Sequence, residues 1–237
     1  MAGKIREALK RRGDQHEFVF SDEFGVSLLN AVEDWRAQMR GDERRLADIG
    51  PDAGPFDTSE TVSKAAVASR GRRGAGFLFL LTVLWRPRCV VELGTNLGIS
   101  SAYIASGIKA SLSGGQIVTI DASPAKLEIA QEMHSSIGLD NVEYIAGKFV
   151  DELAGAVDAL DDIDMIFIDA HYEPKAVRHY LDEMKRKVSN RCLYVQNGVE
   201  GSPAMAGFWN RLSDDPWVKF SGVFDGVGIA LMKPTIV

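Results

Sequence analysis

Short apolar runs alternate with longer amphipathic runs from Arg88 onward. The short runs are typical of buried strands, and the longer runs have the spacing of apolar positions that helices need to cover a sheet. Strands joined by helices in this way lie parallel in one sheet. The pattern predicts strands at Cys89–Leu93, Gln116–Ile120, Val142–Ile145, Asp164–Ile168 and Cys192–Val195. Helices are expected to begin near Gly98, Ser123, Lys148, Pro174 and Ser202.

The last part of the chain has a different pattern. Two strand-like runs, Trp217–Val223 and Val227–Met232, are separated only by Phe224, Asp225 and Gly226. A connection this short is typical of an antiparallel hairpin, because parallel strands need a much longer crossover. The chain is therefore predicted to have an α/β fold in which a parallel sheet ends in a hairpin.

Helical spacing of apolar residues also marks the N-terminal third of the chain. It predicts accessory helices over Asp22–Ile49, Thr61–Arg70 and Gly74–Trp85, with Pro87 stopping the last of them. The first 20 residues have clustered basic side chains and little periodicity, which is typical of a flexible tail. The expected domains are a tail (1–20), accessory helices (21–86) and a main domain (87–237). The first helix can pack on its own domain or across the axis of a homodimer.

Charge and composition narrow the class of partner. The chain has a formal net charge of -6 and a sequence pI near 5.3, which argues against nucleic-acid binding because that requires a basic face. No apolar run is long enough to span a membrane, and the N-terminus lacks the apolar segment of a signal peptide. Cys89 and Cys192 lie in apolar runs and are expected to be free thiols. We expect a cytoplasmic protein that acts on a small molecule, without a nucleic-acid or membrane partner.

A glycine-containing turn follows the first predicted strand, between Glu92 and Ser100. Gly94 and Gly98 permit a tight turn, close approach of a ligand and close packing of the next helix, whose first N–H groups are free to bind. Asp121 follows the second strand, where a carboxylate can accept hydrogen bonds from both hydroxyls of a ribose. Each feature alone can simply end a strand, but together they predict a nucleoside cofactor.

The spacing of the glycines distinguishes between nucleoside cofactors. A dinucleotide fingerprint needs three glycines in the order G-x-G-x-x-G, whereas this turn has only Gly94 and Gly98. S-adenosylmethionine has no phosphate, and Glu92 or neighbouring backbone carbonyls can meet its ammonium group. The pattern therefore favours S-adenosylmethionine, and an NAD-linked oxidoreductase is the weaker alternative.

Four segments carry a family resemblance: Val91–Ser101, Ile120–Asp121, Phe167–Tyr172 and Val227–Met232. On these segments the chain, from about Thr61 to Pro234, resembles the class I S-adenosylmethionine-dependent methyltransferases. More narrowly, it resembles the catechol and caffeoyl-CoA type O-methyltransferases and their bacterial small-molecule relatives. The resemblance implies a Rossmann-like, seven-stranded, mostly parallel sheet with helices on both faces and an antiparallel terminal strand.

The resemblance also implies which residues bind S-adenosylmethionine. The methionine end would be lined by Glu92, Gly94, Thr95, Gly98 and Ser100. The ribose would be met by Asp121 and Ala122, and the adenine by Gly147, Lys148 and Phe149. Asp169 would lie close to the reacting centre. The implied reaction is O-methylation of a small-molecule hydroxyl in a single displacement.

The sequence departs from the metal-dependent members of this family after the fourth and fifth strands. Those relatives hold a divalent cation with one Asp after strand four and an Asp-Asn pair after strand five, where this chain has Asp169, Gln196 and Asn197. An amide in place of a carboxylate removes a negative charge from a site for a hard cation. We therefore expect a divalent metal to bind weakly or not at all.

The usual general base is also missing, because Tyr172 stands where relatives commonly have a Lys. His171 is the candidate replacement, since an imidazole can take a hydroxyl proton near neutral pH, although it can equally hydrogen-bond the following loop. These departures make a non-catalytic or regulatory protein that binds the cofactor a further alternative.

Other polar and aromatic residues have commoner structural explanations. Three histidines are expected at the surface: His16, His134 and His179. Three aromatic residues are expected in the core: Phe208, Trp209 and Trp217. Arg72 and Arg73 are expected to be solvated, whereas Ser69 and Arg70 are candidates for the cofactor side of the site.

Overall fold

A computed structural model describes residues 22–46 and 60–234, with side chains from residue 27. Seven strands form one sheet: β1 (Cys89–Leu93), β2 (Gln116–Asp121), β3 (Val142–Ala146), β4 (Ile163–Ile168), β5 (Val188–Gln196), β6 (Val218–Phe224) and β7 (Val227–Met232). Their order across the sheet is β3-β2-β1-β4-β5-β7-β6, and β7 alone of these strands runs against the others. The predicted α/β, Rossmann-like sheet with an antiparallel terminal strand is confirmed.

Eight α-helices and one short 3-10 turn accompany the strands in the described part of the chain. The helices are α1 (Asp22–Arg40), α2 (Val62–Ala68), α3 (Arg72–Trp85), α4 (Ile99–Ala110), α5 (Pro124–Ser136), α6 (Phe149–Asp158), α7 (Pro174–Met184) and α8 (Pro203–Leu212). The 3-10 turn, Lys185–Lys187, leads from α7 into β5. Every strand predicted from its apolar run is present, and the five helix starts lie within one residue of their predicted positions.

Helices cover both faces of the sheet because its strands are apolar on both sides. Neighbouring residues of β4 show this alternation: Met165 packs in a core with α3 and α4, whereas Ile166 packs in a second core with α7 and α8. Strands buried on both faces give continuous apolar runs, which is the pattern that the sequence shows. Phe208 and Trp209 are buried in the second core, as predicted.

The order of the strands creates a crevice at one edge of the sheet. The chain passes from β1 to β2 on one side, and later returns to place β4 on the other side of β1. Helices leave these strand ends in opposite directions, so the carboxyl ends of β1 and β4 border an opening in which such folds bind ligands. Asp121 and Asp169 both lie at this edge.

The accessory helices pack against their own chain. Leu28, Val32 and Met39 of α1 are buried in the same core as α3 and α4. The Tyr103 hydroxyl of α4 donates a hydrogen bond to the Glu33 carboxylate at 2.7 Å. The first accessory helix therefore packs on its own domain.

The first accessory helix is shorter than the predicted Asp22–Ile49, since α1 ends at Arg40. The N–H of Gly41 donates to the Gln38 carbonyl at 3.0 Å, and the Asp42 carboxylate accepts a hydrogen bond from the backbone N–H of Arg44 at 2.9 Å. Asp competes for backbone donors in this way, which ends a helix that the apolar spacing would continue. The predicted tail with His16, and residues 47–59, lie outside the described residues.

His134 is fully buried, so its predicted surface position is wrong. Its Nε2 lies 2.8 Å from the Gly98 carbonyl oxygen and its Nδ1 lies 2.5 Å from the Tyr144 hydroxyl. Because the carbonyl can only accept, Nε2 donates, and the ring is the neutral tautomer; burial lowers the pKa of His134 to about 4. The contact depends on Gly98, since a Cβ there would lie 2.7 Å from the Cβ of Ala130 on α5.

Both cysteines are free, with Cys192 buried and Cys89 half-buried. Across residues 22–46 and 60–234, no helix combines the length and the apolar character that crossing a membrane would require.

Candidate active site

A cavity of about 360 Å³ opens at the carboxyl edge of the sheet, beside the start of α3. Its walls come from the ends of β1, β2 and β4 and from the segment between α2 and α3. The lining residues are Ala68, Ser69, Arg70, Gly94, Thr95, Asn96, Ile99, Ser100, Asp121, Lys126, Asp169, Ala170 and Tyr172. The structure thus brings together residues as far apart in the sequence as Ala68 and Tyr172.

Only part of the predicted site lines this cavity. The predicted residues on its walls are Gly94, Thr95, Ser100, Asp121 and Asp169, with Ser69 and Arg70 from the weaker candidates. The other predicted residues are not among the lining residues: Glu92, Gly98, Ala122, Gly147, Lys148, Phe149 and His171. The lining residues thus include methionine-side and ribose-side candidates, and the adenine candidate Gly147 is next to the wall, since its N–H donates to the Asp121 carbonyl at 3.0 Å.

Gly94 lines the cavity and also lies against the segment after β4. Its φ is +100°, and a Cβ there would lie 2.9 Å from the Asp169 carbonyl oxygen and 3.0 Å from the Cβ of Ala170. A side chain at Gly94 would therefore collide with the segment after β4. The glycine is needed so that the ends of β1 and β4 can approach each other closely.

Glu92 lies behind the cavity and is fully buried. Its carboxylate accepts hydrogen bonds from the hydroxyls of Ser100 (2.6 Å), Thr119 (2.6 Å) and Ser101. Burial raises the pKa of Glu92 to about 7, although the three hydroxyl donors oppose this shift. Glu92 therefore fixes the first turn of α4 to β1 and β2, and Ser100 connects this buried network to the cavity wall.

Asp121 shapes the turn that follows β1. Its Oδ2 accepts from the backbone N–H of Asn96 at 2.9 Å, and its Oδ1 accepts from the N–H of Ser123 at 2.9 Å. Each carboxylate oxygen can accept a further hydrogen bond. The side chain can therefore hold the turn and still receive the hydroxyls of a ribose.

Asn96 is a lining residue that the sequence interpretation missed. Its Nδ2 donates to the Ala65 carbonyl at 3.0 Å and to the Ser69 hydroxyl at 3.1 Å, so it ties the accessory helix α2 to the turn. Its Oδ1 is buried and has no hydrogen-bond partner among the described residues. The available signal was its position between Gly94 and Gly98, with a φ of +47° that Asn tolerates better than most residues.

Asp169 is held in place on one of its two oxygens. Its Oδ1 accepts a hydrogen bond from the Tyr172 hydroxyl at 2.5 Å and another from the Asn197 amide at 2.5 Å. Its Oδ2 lies 3.7 Å from Nε of Arg70 and accepts no hydrogen bond from the described residues, so it is open to a ligand. Burial and the neighbouring Asp169 charge raise the pKa of Tyr172, which keeps the phenol protonated as a donor.

Gln196 is turned away from the cavity and is fully buried. Its Oε1 accepts from the Tyr194 hydroxyl, and its Nε2 donates to the Asn197 carbonyl at 2.9 Å. The residues that would hold a metal in metal-dependent relatives therefore offer no converging set of oxygen anions here. Within the described part of the chain, no group of three or more His, Cys, Asp or Glu is arranged to hold a metal ion.

His171 lies outside the cavity wall and is exposed. Its Nδ1 is 2.7 Å from the Tyr180 hydroxyl, and its ring packs against the edge of Phe149 with 5.3 Å between centroids. These contacts turn the imidazole toward α6 and α7, whereas its neighbour Tyr172 faces the cavity.

Residues 91–197 match a protein family described as a methyltransferase domain. This segment runs from within β1 to just past the end of β5, and it contains all the lining residues except Ala68, Ser69 and Arg70. The family match confirms the resemblance to methyltransferases that the sequence motifs indicated.

Individual relatives agree with this match. A catechol O-methyltransferase of Niastella koreensis is 34% identical over 100 residues, which are 41% of this chain and 44% of that protein. The chain spans about half the length of the curated relatives it matches.

Solved structures of low sequence identity share the fold. An O-methyltransferase from Streptomyces achromogenes involved in tomaymycin synthesis, in complex with S-adenosylmethionine, has a TM-score of 0.59 and 24% identity over 70% of this chain and 82% of that chain. An O-methyltransferase from Bacillus cereus, in complex with S-adenosylhomocysteine, has a TM-score of 0.59 and 22% identity over 87% of this chain and 91% of that chain.

The raised pKa of Glu92 predicts how stability depends on pH. Between about pH 4.5 and 7 the folded chain keeps a proton on Glu92 that the unfolded chain releases. The stability that this group contributes is therefore complete below pH 4.5 and is lost as the pH rises to 7, by on the order of 3 kcal/mol. We expect the free energy of unfolding of the parent to fall by this amount relative to Glu92→Gln across the window. Urea unfolding of both proteins at intervals through the window measures it, and a difference that is constant with pH would contradict the assignment.

Proposed function

We propose that the chain is an S-adenosylmethionine-dependent methyltransferase that methylates a hydroxyl oxygen of a small molecule in a single displacement. The observation that carries this proposal is the cavity that joins Gly94, Asp121 and Asp169 from the ends of three neighbouring strands. The family match over residues 91–197 and the O-methyltransferases among the relatives support it.

The chemistry of the cavity wall fits the cofactor. Asp121 keeps acceptor capacity for two ribose hydroxyls, and the orphaned Oδ1 of Asn96 is a buried acceptor that a ligand N–H or O–H would satisfy. Thr95 and Ser100 would lie along the methionine end. S-adenosylmethionine would supply the methyl group from its sulfonium centre.

Asp169 is the residue best placed to handle the acceptor. Because its Oδ1 is already occupied by Tyr172 and Asn197, the carboxylate is held still while Oδ2 can accept a hydrogen bond from the acceptor hydroxyl. This bond would orient the attacking oxygen and receive its proton as the new C–O bond forms. We assign this role to Asp169 and not to His171, because only Asp169 lines the cavity. Positioning would contribute most of the rate enhancement.

Titration calorimetry separates this proposal from its two alternatives. Binding of S-adenosylhomocysteine without binding of NAD is the expected result, and the reverse would favour an oxidoreductase. Transfer of a labelled methyl group to any member of a panel of hydroxylated small molecules would exclude a non-catalytic protein that only binds the cofactor.

We predict that Asp121→Ala weakens binding of S-adenosylhomocysteine by about 1.5–3 kcal/mol, because charge-assisted hydrogen bonds to the ribose are lost. Calorimetric dissociation constants of the parent and the variant measure this loss.

Asp161→Ala is the matched control, since it makes the same chemical change at an exposed position. Asp121→Asn keeps one oxygen acceptor, so its dissociation constant for S-adenosylhomocysteine should lie between those of the parent and Asp121→Ala. A dissociation constant for Asp121→Ala within twofold of the parent would remove Asp121 from the cofactor site.

We also predict that methyl transfer continues at the parental rate after treatment with EDTA and is not raised by added magnesium. The reason is that one open carboxylate oxygen on Asp169 and two amides are a poor ligand set for a hard cation. Gln196→Asp should remain independent of magnesium, because position 196 faces Tyr194 and not the cavity. Loss of parental activity on chelation, with recovery on adding magnesium, would refute this reading of the site.

A further inference from the structure

Arg70 is buried in the cavity wall with an unused hydrogen-bonding edge. Its side chain is 8% exposed, and its guanidinium carbon lies 5.6 Å from the centre of the Phe167 ring. Its Nε and Nη2 are both buried and have no hydrogen-bond partner among the described residues. Oδ2 of Asp169 is 3.7 Å from Nε, which is beyond hydrogen-bonding distance.

Two unpaired donors on a buried cation are costly, because the guanidinium has lost water without gaining full replacement. Asp169 forms an ion pair with Arg70 through Oδ2, but at 3.7 Å this pair is no hydrogen bond, and the hydrogen bonds of Asp169 with Tyr172 and Asn197 are both on Oδ1. The nearby charge lowers the cost of burying Arg70 but leaves both N–H groups unsatisfied. A ligand in the cavity can satisfy them, because Arg70 is one of its lining residues.

The shape of this edge selects the ligand chemistry. Nε–H and Nη2–H are parallel donors on one side of the planar guanidinium, and they match the two oxygens of a carboxylate. We propose that Arg70 binds a carboxylate of the acceptor, so that the substrates of this chain are hydroxy acids. The proposal rests on the methyltransferase function proposed above and narrows its substrate class.

The position of Arg70 favours the acceptor as the source of this carboxylate. Arg70 lies beside Asp169 and over Phe167 of β4, on the wall where the acceptor hydroxyl is expected. The cofactor candidates Thr95 and Asp121 belong to the ends of β1 and β2. A hydroxyl at Asp169 and a carboxylate at Arg70 would be only a few bonds apart in the acceptor. The cofactor has a carboxylate too, so the experiment must separate the two sources.

The first arm measures binding of a matched pair of probes, 2,3-dihydroxybenzoate and catechol, to the protein saturated with S-adenosylhomocysteine. The two probes differ by the carboxylate alone. In the parent the dihydroxybenzoate should bind more tightly than catechol. Arg70→Met should weaken binding of the dihydroxybenzoate by about 10- to 100-fold and leave the dissociation constant of catechol unchanged.

Two further variants test whether binding needs the paired donors Nε–H and Nη2–H of Arg70 or only a nearby positive charge. Arg70→Lys keeps the charge without the planar fork, so it should recover only a small part of the loss. Arg73→Met removes a neighbouring positive charge whose side chain is 84% exposed, and it should bind both probes as the parent does. Any of three results would overturn the proposal. The parent could bind the two probes equally, Arg70→Lys could bind the dihydroxybenzoate as tightly as the parent, or Arg73→Met could lose as much affinity for it as Arg70→Met.

The second arm compares S-adenosylhomocysteine with methylthioadenosine, which lacks the amino-acid part of the cofactor. Arg70→Met should bind both as tightly as the parent. If Arg70→Met loses affinity for S-adenosylhomocysteine but not for methylthioadenosine, Arg70 binds the carboxylate of the cofactor and the hydroxy-acid proposal is wrong. If the parent itself binds neither nucleoside, the proposed methyltransferase function has failed, which is a separate result from any change at Arg70.

Thermal unfolding distinguishes a binding role from a structural one. Because its Nε and Nη2 donate no hydrogen bond within the described chain, Arg70→Met should unfold at or above the melting temperature of the parent. A lowered melting temperature together with unchanged probe binding would mean that Arg70 only supports the fold, and it would overturn the proposal.

Discussion

The close approach of β1 and β4 at their carboxyl ends is the constraint on which the candidate site depends. The Asp169 N–H donates to the Leu93 carbonyl at 3.0 Å, so the sheet pairing continues past the end of β4. The Gly94 N–H donates to the Ile120 carbonyl at 3.0 Å and extends the pairing toward β2. Because Gly94 has no side chain, the segment after β4 can lie directly against it. This contact sets Asp121 and Asp169 on opposite sides of one cavity.

Beneath this edge, a buried polar network holds the helix that follows β1. The Glu92 carboxylate accepts hydrogen bonds from three hydroxyl groups, one of them that of Thr119. The Thr119 hydroxyl is also 2.6 Å from the hydroxyl of Thr95, which lines the cavity. A buried network of this kind is rigid only when its members are satisfied. The cavity wall above it is different, because Asn96 and Arg70 keep buried atoms unpaired. The contrast separates groups that support the fold from groups that a ligand would complete.

The sequence predicted the sheet well because its strands are buried on both faces and therefore appear as continuous apolar runs. It also predicted that Asp121 and Asp169, at the ends of two strands, lie at the edge of the sheet where the cavity opens. It failed where a short-range pattern competes with packing: the Gly41-Asp42 turn ends α1 early, and His134 on an amphipathic helix is buried against Gly98. The directions of Gln196 and His171 depend on their contacts with Tyr194 and Tyr180, which no local pattern encodes.

The central claim is that the cavity at the ends of β1, β2 and β4 holds an adenosyl cofactor. The most direct measurement is a crystal structure of the protein grown with S-adenosylhomocysteine. We expect both ribose hydroxyls within hydrogen-bonding distance of the Asp121 carboxylate, with the methionine end beside Thr95 and Ser100 and the sulfur facing Asp169. A cofactor bound elsewhere on the chain, or bound in this cavity with its ribose away from Asp121, would show that this cavity is not the predicted cofactor site.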